Sequence, residues 1–153
     1  MFKFLKPDNL SDGYLSLVLE KTTPANPVKG LVPAYTFWIT RLGQDAPVGS
    51  IQLRIGHTEN VEKYGGHIGY EIFPLFRGHR YAARGCKLIL LLARQHKMKT
   101  VWITCDPDNI ASRRTCEIIG AKLIEVIDVP HGHELYRSGS RQKCRYRLDL
   151  KSF

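Results

Sequence analysis

Short alternations of apolar and polar residues fill the first half of the chain and predict β-strands. The expected strands cover residues 14–22, 35–39, 48–55 and 67–73. Turn residues bound these segments, and Pro24, Pro27 and Pro33 exclude a continuous helix between the first two strands. Because strands joined by turns commonly pair with each other, the first half is expected to form an antiparallel sheet.

The period of the apolar residues changes after Gly78. Apolar residues recur at steps of three and four from Ala82 through Cys86, Ile89 and Ala93, and basic residues lie on the opposite side. This pattern predicts an amphipathic helix. A compact strand over residues 100–105 follows, and a strand-helix-strand step of this length favours a right-handed parallel crossover.

The last third of the chain predicts one more helix and two more strands. The helix is expected over residues 110–119, with Asp108 or Asn109 as its N-cap and Gly120 as its stop. Residues 122–129 and 144–150 are expected to form a terminal strand pair, joined by a loop rich in proline, histidine and glycine.

Composition narrows the class of protein. The length of 153 residues fits one domain, and 43% hydrophobic with 24% charged residues indicates a soluble one. The longest apolar run, residues 88–93, is six residues long, whereas a bilayer span needs roughly 20. The N-terminal residues lack the apolar core of a secretory signal. We therefore expect a single cytoplasmic domain over residues 1–153, with no membrane partner.

Neither a metal site nor a disulfide framework is expected. The four cysteines form no CxxC pair, and three of them lie in periodic apolar segments, where a reduced thiol behaves as a small hydrophobe. His131 and His133 could be combined with Cys144 as metal ligands, but no second cysteine pair accompanies them at zinc-site spacing. We interpret these histidines as turn residues.

The positive charge is unevenly distributed. The formal net charge is +9, residues 77–105 hold seven basic side chains and no acid, and residues 137–151 hold six against one acid. Such a surface attracts anions through its long-range field. Charge alone does not distinguish nucleic acid, a membrane surface and a phosphate-rich cofactor from one another, or any of them from a basic face that serves solubility alone.

A candidate anion site lies where the fourth strand passes into the first helix. The strand stops at Pro74, a short basic loop follows, and the helix is expected to begin near Gly78. The first turn of a helix carries N–H groups without intrahelical partners at the positive end of the helix dipole. Arg77 and Arg80 add positive charge, and Gly78 lets the backbone approach a ligand closely.

Two motifs carry a resemblance to a known family. The first, which resembles the acyl-CoA loop Q/R-x-x-G-x-G/A of the GNAT superfamily of N-acetyltransferases, is Arg77-Gly78-His79-Arg80-Tyr81-Ala82. The second, which resembles the downstream segment N-x-x-S…E-x-x-G-F of that family, is Asn109-x-x-Ser112 followed by Glu117-x-x-Gly120-Ala121. The resemblance covers residues 35–150 and includes the order of strands and helices.

The resemblance implies a fold, an activity and a set of site residues. The implied fold is α+β (mixed α/β), a central mixed sheet of about six or seven strands splayed between the fourth and fifth. The implied activity is direct transfer of an acetyl group from acetyl-CoA, the co-substrate, to a primary amine. The residues implied to contact acetyl-CoA are Ile72, Phe73, Arg77, Gly78, His79, Arg80, Tyr81, Ala82, Asn109 and Ser112.

Three departures from the family pattern matter. Arg80 stands where the motif normally has glycine, so either its backbone is an ordinary right-handed helix or its side chain takes over part of the pyrophosphate contact. Cys116 stands where relatives often place the tyrosine that protonates the CoA thiolate. The span between the first two strands is too short for the usual helix pair, so the acceptor cleft is open or is closed by a second subunit of a homodimer.

Glu71 is the candidate general base. Period two places His67, Gly69, Glu71 and Phe73 on one face of the fourth strand. A carboxylate there is either paired to an arginine or poised beside the thioester, and the resemblance favours the second role, in which it takes a proton from the attacking amine. Backbone N–H groups near Ile72 and Phe73 would then polarise the thioester carbonyl.

The proton donor to the leaving thiolate is left open by the sequence. Cys116 is a candidate catalytic residue because the reference pKa of a thiol, about 8.5, is close to that of the product thiol. Core packing is its other role. Tyr81, Tyr136 and Tyr146 are the alternatives.

Several roles remain alternatives at this stage. Asn109 caps the second helix, contacts the pantetheine arm, or does both, and Ser112 contacts the cofactor or is a solvated helix residue.

The loops 23–34, 56–66 and 130–142 contain no recognisable motif that would identify the acceptor. An acyl-CoA-binding regulatory domain without turnover is one alternative function. A basic nucleic-acid-binding module is another, built on Arg84, Lys87, Arg94 and the last strand, although no aromatic stacking strand accompanies these charges.

Overall fold

The computed structural model of the protein describes residues 2–7 and 9–150. Its strands are β1 (Leu15–Thr23), β2 (Ala34–Arg41), β3 (Pro47–Arg54), β4 (Ile68–Ile72), β5 (Thr100–Cys105), β6 (Lys122–Asp128) and β7 (Gln142–Asp149). Its helices are α1 (Tyr81–Gln95), α2 (Ile110–Ile118) and α3 (Glu134–Arg137). Each strand and each of the two longer helices lies where the apolar pattern predicts it, within a few residues.

The strands form two sheets that diverge between β4 and β5. The first sheet has the order β1-β2-β3-β4 and the second has the order β5-β7-β6, with antiparallel pairing throughout. Helix α1 connects the two sheets and packs on β1, β3 and β4. The predicted α+β architecture, splayed between the fourth and fifth strands, is confirmed.

The core lies between α1 and the first sheet. Cys86, Ile89 and Ala93, which the helical period assigned to the buried face, are fully buried. They pack with apolar residues from alternate positions of the strands, including Phe37 and Ile51. Because side chains of a strand alternate between the two faces, the other face of the first sheet carries a different set of residues.

The face of the first sheet that is turned away from α1 is the open face. Strand register aligns Val18, Trp38, Ser50 and Glu71 in one row across the four strands. Val18 and Glu71 are exposed, and Trp38 and Ser50 are half-buried. The segment between β1 and β2 contributes a 3-10 turn, Pro27–Lys29, and no α-helix. The predicted reduction of the N-terminal helix pair is therefore confirmed.

His67 joins the two sheets at the point where they diverge. Its side chain is fully buried. Its Nε2–H donates to the carbonyl of Gly56 at 2.8 Å, and its Nδ1 accepts from the backbone N–H of Trp102 at 2.9 Å. The backbone N–H of His67 also donates to the Trp102 carbonyl at 2.7 Å. The two bonds to Trp102 close one end of the gap between β4 and β5, and the bond to Gly56 holds the ring in place.

Gly49 allows β3 and β4 to approach closely near the other end of the gap. A Cβ atom at this position would overlap the carbonyl oxygen of Glu71 and lie 3.0 Å from the Cα of Ile72. Because both contacts are to backbone, no rotamer change could relieve them. The close approach fixes the position of the β4 segment that carries Glu71.

Within the described residues, none of the helices combines the length and apolar character needed to cross a membrane.

Candidate functional site

A cleft of about 520 Å³ opens where β4 and β5 diverge. Three parts of the chain line it: the end of β4, the loop and first turn of α1, and one side of α2. The lining residues are Tyr70, Glu71, Ile72, Phe76, Arg77, Gly78, Arg80, Tyr81, Ala82, Asn109, Ala111, Ser112, Arg114, Thr115 and Ile118. The two motifs singled out from the sequence therefore meet at one cavity, although β5 and most of α1 separate them along the chain.

The loop before α1 contains two residues in the left-handed region of backbone space. Gly78 has a φ of +91° and Arg80 has a φ of +60°. The expectation that Arg80 could adopt an ordinary right-handed helical backbone is wrong, because α1 begins only at Tyr81 and Arg80 is its N-cap. An L-residue in this region has its Cβ close to the following carbonyl, which costs roughly 1–2 kcal/mol.

The mouth of the cleft is positively charged. Arg77, Arg80 and Arg114 all line it, and Arg77 donates from Nε to the Ile72 carbonyl at 2.9 Å. Arg80, Tyr81 and Ala82, at the start of α1, line the same space, and the first donors of a helix have no intrahelical acceptor. The helix dipole adds a partial positive charge there. This arrangement can bind a polyanion such as a pyrophosphate.

Asn109 and Ser112 form a bonded turn at the start of α2. Asn109 accepts from the Ser112 N–H at 3.1 Å, so its capping role is observed. Ser112 is buried, and its hydroxyl lies 2.6 Å from the hydroxyl of Tyr70 on β4. The expectation of a solvated serine is wrong. The Tyr70–Ser112 pair instead connects α2 to β4 across the cleft, and burial raises the pKa of Tyr70.

Glu71 is exposed at the edge of the cleft and on the open face. Its neighbour in register on β3 is Ser50. Among the described residues, no ion pair between Glu71 and an arginine is found. The alternative of a structurally paired carboxylate is therefore not what the structure contains, and Glu71 is available to a ligand in the cleft.

The two backbone N–H groups expected to polarise a carbonyl differ in availability. The Phe73 N–H donates to the Val48 carbonyl at 2.9 Å, so the expectation for Phe73 is corrected. Backbone groups of successive residues in a strand point to opposite sides. Ile72 therefore directs its N–H away from β3, toward the gap, where it remains available.

Cys116 does not reach the cleft. Its side chain is fully buried and is not part of the cavity lining. Burial raises the pKa of its thiol well above the ordinary value, which makes it a poor proton donor. The core-packing alternative holds for Cys116.

The tyrosines considered from the sequence are also distributed differently. Tyr146 is buried, and its hydroxyl accepts a hydrogen bond from Arg113 Nε at 3.1 Å. Tyr136, on α3, lies beneath the guanidinium group of Arg141. Neither lines the cleft. Tyr81 does, with its hydroxyl 3.1 Å from that of Tyr14. His79 stacks on the Tyr81 ring with a centroid distance of 5.3 Å and stays outside the lining set.

Several lining residues were not identified from the sequence. Tyr70 lies on the inward side of β4, a position that pattern analysis interprets as core. On α2, the spacing of Ala111, Arg114, Thr115 and Ile118 is that of one helical face. That spacing could have identified them, because Ser112 lies on the adjoining part of the same turn.

The histidines and cysteines lie in turns and in the core. In the described ranges, no group of three or more His, Cys, Asp or Glu side chains is arranged to hold a metal ion. All four cysteines are buried as free thiols. His133 accepts from the Leu135 N–H at 3.0 Å and so caps α3, a turn role.

Sequence comparison identifies one family profile. The profile described as an acetyltransferase (GNAT) domain matches residues 12–122, well over half of the chain. No curated protein shows significant sequence similarity to the chain.

The chain is similar in fold to solved structures that are distant from it in sequence. An acetyltransferase (GNAT family) from Bacillus anthracis is 23% identical, with a TM-score of 0.60 over 74% of this chain and 65% of that one. The microcin C7 self-immunity acetyltransferase MccE, solved with acetyl-CoA and AMP, is 22% identical, with a TM-score of 0.59 over 76% and 61%. The chain thus spans less than two thirds of the length of either.

A third structure matches over nearly its whole length. RimL, a ribosomal L7/L12 alpha-N-protein acetyltransferase solved with coenzyme A, is 14% identical, with a TM-score of 0.66 over 92% of this chain and 96% of that one. At these identities the similarities establish the fold.

Proposed function

The chain belongs to the acetyltransferase (GNAT) family, and from this premise we propose that it transfers the acetyl group of acetyl-CoA to a primary amine. One observation carries the proposal. The loop of residues 77–82 and the turn of residues 109–112 face a single cleft, at the gap between two diverging strands. Such a gap offers an anion site at its mouth and unpaired strand edges inside.

The mouth of the cleft fits the diphosphate of CoA. Arg80 and Arg114 present guanidinium groups, which match phosphate oxygens in charge and geometry. Gly78 has open space where a side chain would stand, so the loop backbone can approach a ligand directly. The unpaired N–H groups of the first turn of α1 supply further donors.

The gap itself fits the pantetheine arm and the thioester. Among the described residues, the bonds that join the β4 segment to β5 are those between His67 and Trp102, at the closed end of the gap. Beyond that point, the N–H of Ile72 can donate to a thioester carbonyl and stabilise the oxyanion that forms during attack. Asn109, whose Oδ1 is used in the helix cap, still has its amide N–H groups to donate.

Glu71 is suited to accept the proton of the amine. The amine nitrogen attacks the carbonyl carbon, the C–S bond breaks, and the excess proton on nitrogen passes to the Glu71 carboxylate. Because Glu71 lies on the open face while the thioester would lie at the β4 edge, the amine approaches over the row formed by Val18, Trp38 and Ser50.

The leaving thiolate requires a hydrogen-bond donor from the cleft. Tyr70, Ser112 and Tyr81 all present hydroxyl groups to this space. Tyr70 remains protonated over the working pH range, because its pKa is raised by burial. A neutral phenol of this kind stabilises an anion by donating a hydrogen bond, without transferring its proton.

The direct test combines binding with turnover. Isothermal calorimetry with CoA should give a one-to-one complex, and acetyl-CoA should be consumed in the presence of an accepted amine. The amine panel should include free amino acids, polyamines and a peptide with a free N-terminus, because RimL is named as an N-protein acetyltransferase. If CoA does not bind, the proposal is wrong. Binding without turnover on the whole panel would favour the regulatory, acyl-CoA-sensing function instead.

Replacing Arg80 by glycine separates the stability of the loop from its affinity for CoA. We expect Arg80→Gly to raise the free energy of unfolding by about 1 kcal/mol, because glycine removes the Cβ that strains the left-handed backbone. The same change should weaken CoA binding by about tenfold, because one charge-assisted contact is lost. Thermal unfolding and calorimetry measure the two effects.

Lys87→Gln is the matched control for Arg80→Gly. Lys87 is an exposed cation on α1 that does not line the cleft, so its replacement removes the same charge. Neither the stability nor the CoA affinity should change appreciably. If Arg80→Gly leaves CoA affinity as high as Lys87→Gln does, Arg80 does not contact the cofactor.

A further inference from the structure

A second cleft, of about 480 Å³, lies at the far end of β5 from the first. Lys97 and Lys99, from the segment between α1 and β5, and Arg147, from β7, line it together with Trp102. The acid in its lining, Glu62, is already engaged by His57 at 3.1 Å. Within the described residues, neither lysine forms an ion pair with a carboxylate. Arg147 Nε lies 3.4 Å from Asp149 in an exposed pair of small energetic value. The second cleft is therefore a cationic cavity in which the two lysines carry charge that no carboxylate of the described chain pairs.

Trp102 is held in a fixed orientation beside these charges. Its neighbour in register on β7 is Arg147. The guanidinium carbon of Arg145 lies 4.0 Å from the centroid of the indole. Arg145 is buried and is itself anchored, by bonds to the Glu62 carbonyl at 3.0 Å and to Glu125 at 2.6 Å. A half-exposed aromatic ring set among cations is thus preorganised.

Lys97 occupies a strained position that glycine would fill more easily. It has a φ of +59° directly after the last turn of α1, the position at which helices commonly end in glycine. Arg80 and Lys97 are the non-glycine residues with positive φ in the described chain. Both are cations, they flank the two ends of α1, and each lines one of the two clefts.

From this arrangement we infer that the second cleft binds a nucleotide unit of single-stranded nucleic acid. Cations that follow a phosphate backbone, combined with an aromatic ring for base stacking, are the features of sequence-tolerant single-strand sites. The net charge of +9 brings a polyanion to this surface through long-range attraction. In the tertiary structure Trp102 is the neighbour in register of Arg147, so the basic last strand has an aromatic ring beside it, which the sequence did not reveal. The inference is independent of the proposed acetyl transfer.

Fluorescence anisotropy with a labelled single-stranded RNA of about 12 nucleotides tests this inference. We expect binding whose logarithmic dependence on salt has a slope of about −2, as three neutralised phosphates produce. Saturating CoA should not displace the RNA, because the first cleft is elsewhere. Displacement by CoA, or equal competition by a polyglutamate peptide, would overturn the inference.

Two variants distinguish charge from stacking. Lys97→Gly should reduce the magnitude of the salt slope by about 0.7, while its thermal stability rises because the left-handed backbone is relieved. Trp102→Leu should weaken RNA binding by about tenfold or more and leave the slope unchanged. Trp102→Phe keeps an aromatic ring and serves as the control for a folding defect. Its RNA affinity should fall less than that of Trp102→Leu.

Lys87→Gln is again the control, since it removes an exposed charge outside both clefts. An effect on RNA affinity as large as that of Lys97→Gly would show that binding is spread over the basic surface and would overturn the site. So would an unchanged affinity in Trp102→Leu, or an Arg80→Gly variant that loses as much RNA affinity as Lys97→Gly. A free mononucleotide that binds as tightly as the strand would overturn the assignment to single-stranded nucleic acid.

Discussion

Replacing Glu71 by glutamine should lower kcat for acetyl transfer by about 10²- to 10⁴-fold, the range lost when a positioned general base is removed. The affinity for CoA should be unchanged, because the carboxylate makes no bond that holds the loop or α1 in place. Glutamine has almost the same shape and cannot accept the ammonium proton. Steady-state kinetics with the best amine of the panel, together with calorimetry for CoA, measure both quantities.

The structural basis of this prediction is the isolation of Glu71. Its side chain is exposed, lines the cleft and is not paired with an arginine among the described residues. The strand position that holds it depends on the close approach of β3 at Gly49. A base that is free of a structural partner can be removed without a large change in stability.

Glu59→Gln is the matched control. Glu59 is an exposed acid whose partner is Lys63 at 3.4 Å, a surface ion pair of small energetic value. This variant should retain wild-type kcat and stability. If Glu71→Gln behaves in the same way, another group accepts the proton, and the role of Glu71 is disproved even where acetyl-CoA turnover itself is established.

The second large effect is expected at His67. His67→Ala should lower the free energy of unfolding by about 3 to 5 kcal/mol, because it leaves the Gly56 carbonyl and the Trp102 N–H unsatisfied in the interior and opens a cavity. The loss should also weaken CoA binding, because only the backbone bond from the residue 67 N–H to the Trp102 carbonyl would still hold the two sheets together at this point. Denaturant unfolding measures the first effect and calorimetry the second.

His67 also predicts how stability depends on pH. Burial lowers the pKa of His67 below its ordinary value of 6.5, and both ring nitrogens are already used by the neutral form. The unfolded chain therefore binds the proton more readily than the folded one. The stabilisation is complete above about pH 6.5 and decreases as the pH falls toward the depressed folded pKa. His57, Glu62 and Arg54 are the charged or titratable groups that influence this site.

His67→Gln serves to check the pH effect, and His131→Ala serves to check the size of the destabilisation. Glutamine keeps a donor and an acceptor but does not titrate, so its stability should fall less than that of the wild type between pH 7 and about pH 5.5. His131 is exposed, and its removal should change stability by no more than about 0.5 kcal/mol. Equal losses in His67→Ala and His131→Ala would contradict the role given to His67.

Local patterns account for most of the secondary structure. The strands over residues 100–105 and 48–55, and the helix that carries Cys86 and Ile89, lie where periodicity predicts them. They are predictable because the alternation of apolar and polar residues within each segment indicates which of its faces is buried. The two motifs of the first cleft are local as well, and residues of both line the same cavity.

Contacts between distant segments could not be predicted in this way. The left-handed backbone of Arg80 results from the path that the chain must take between β4 and α1, and a helical period contains no information about it. Cys116 and Phe73 were plausible by position, but the Cys116 side chain is fully buried and the Phe73 N–H is bonded to β3, so neither group is available to a ligand in the cleft. Ser112 acquires its partner from β4.

By itself, the sequence determined the order of the elements, the division into a β-rich half and a mixed half, and the basic loop between β4 and α1, because each of these depends on residues close together in the chain. Tertiary structure alone decided that His67 closes the gap, that Glu71 is free on an open face, and that Trp102 lies among Lys97, Lys99 and Arg147. The physical reason is that hydrogen bonds, burial and electric fields depend on distance in space, and folding brings together residues that are far apart along the chain.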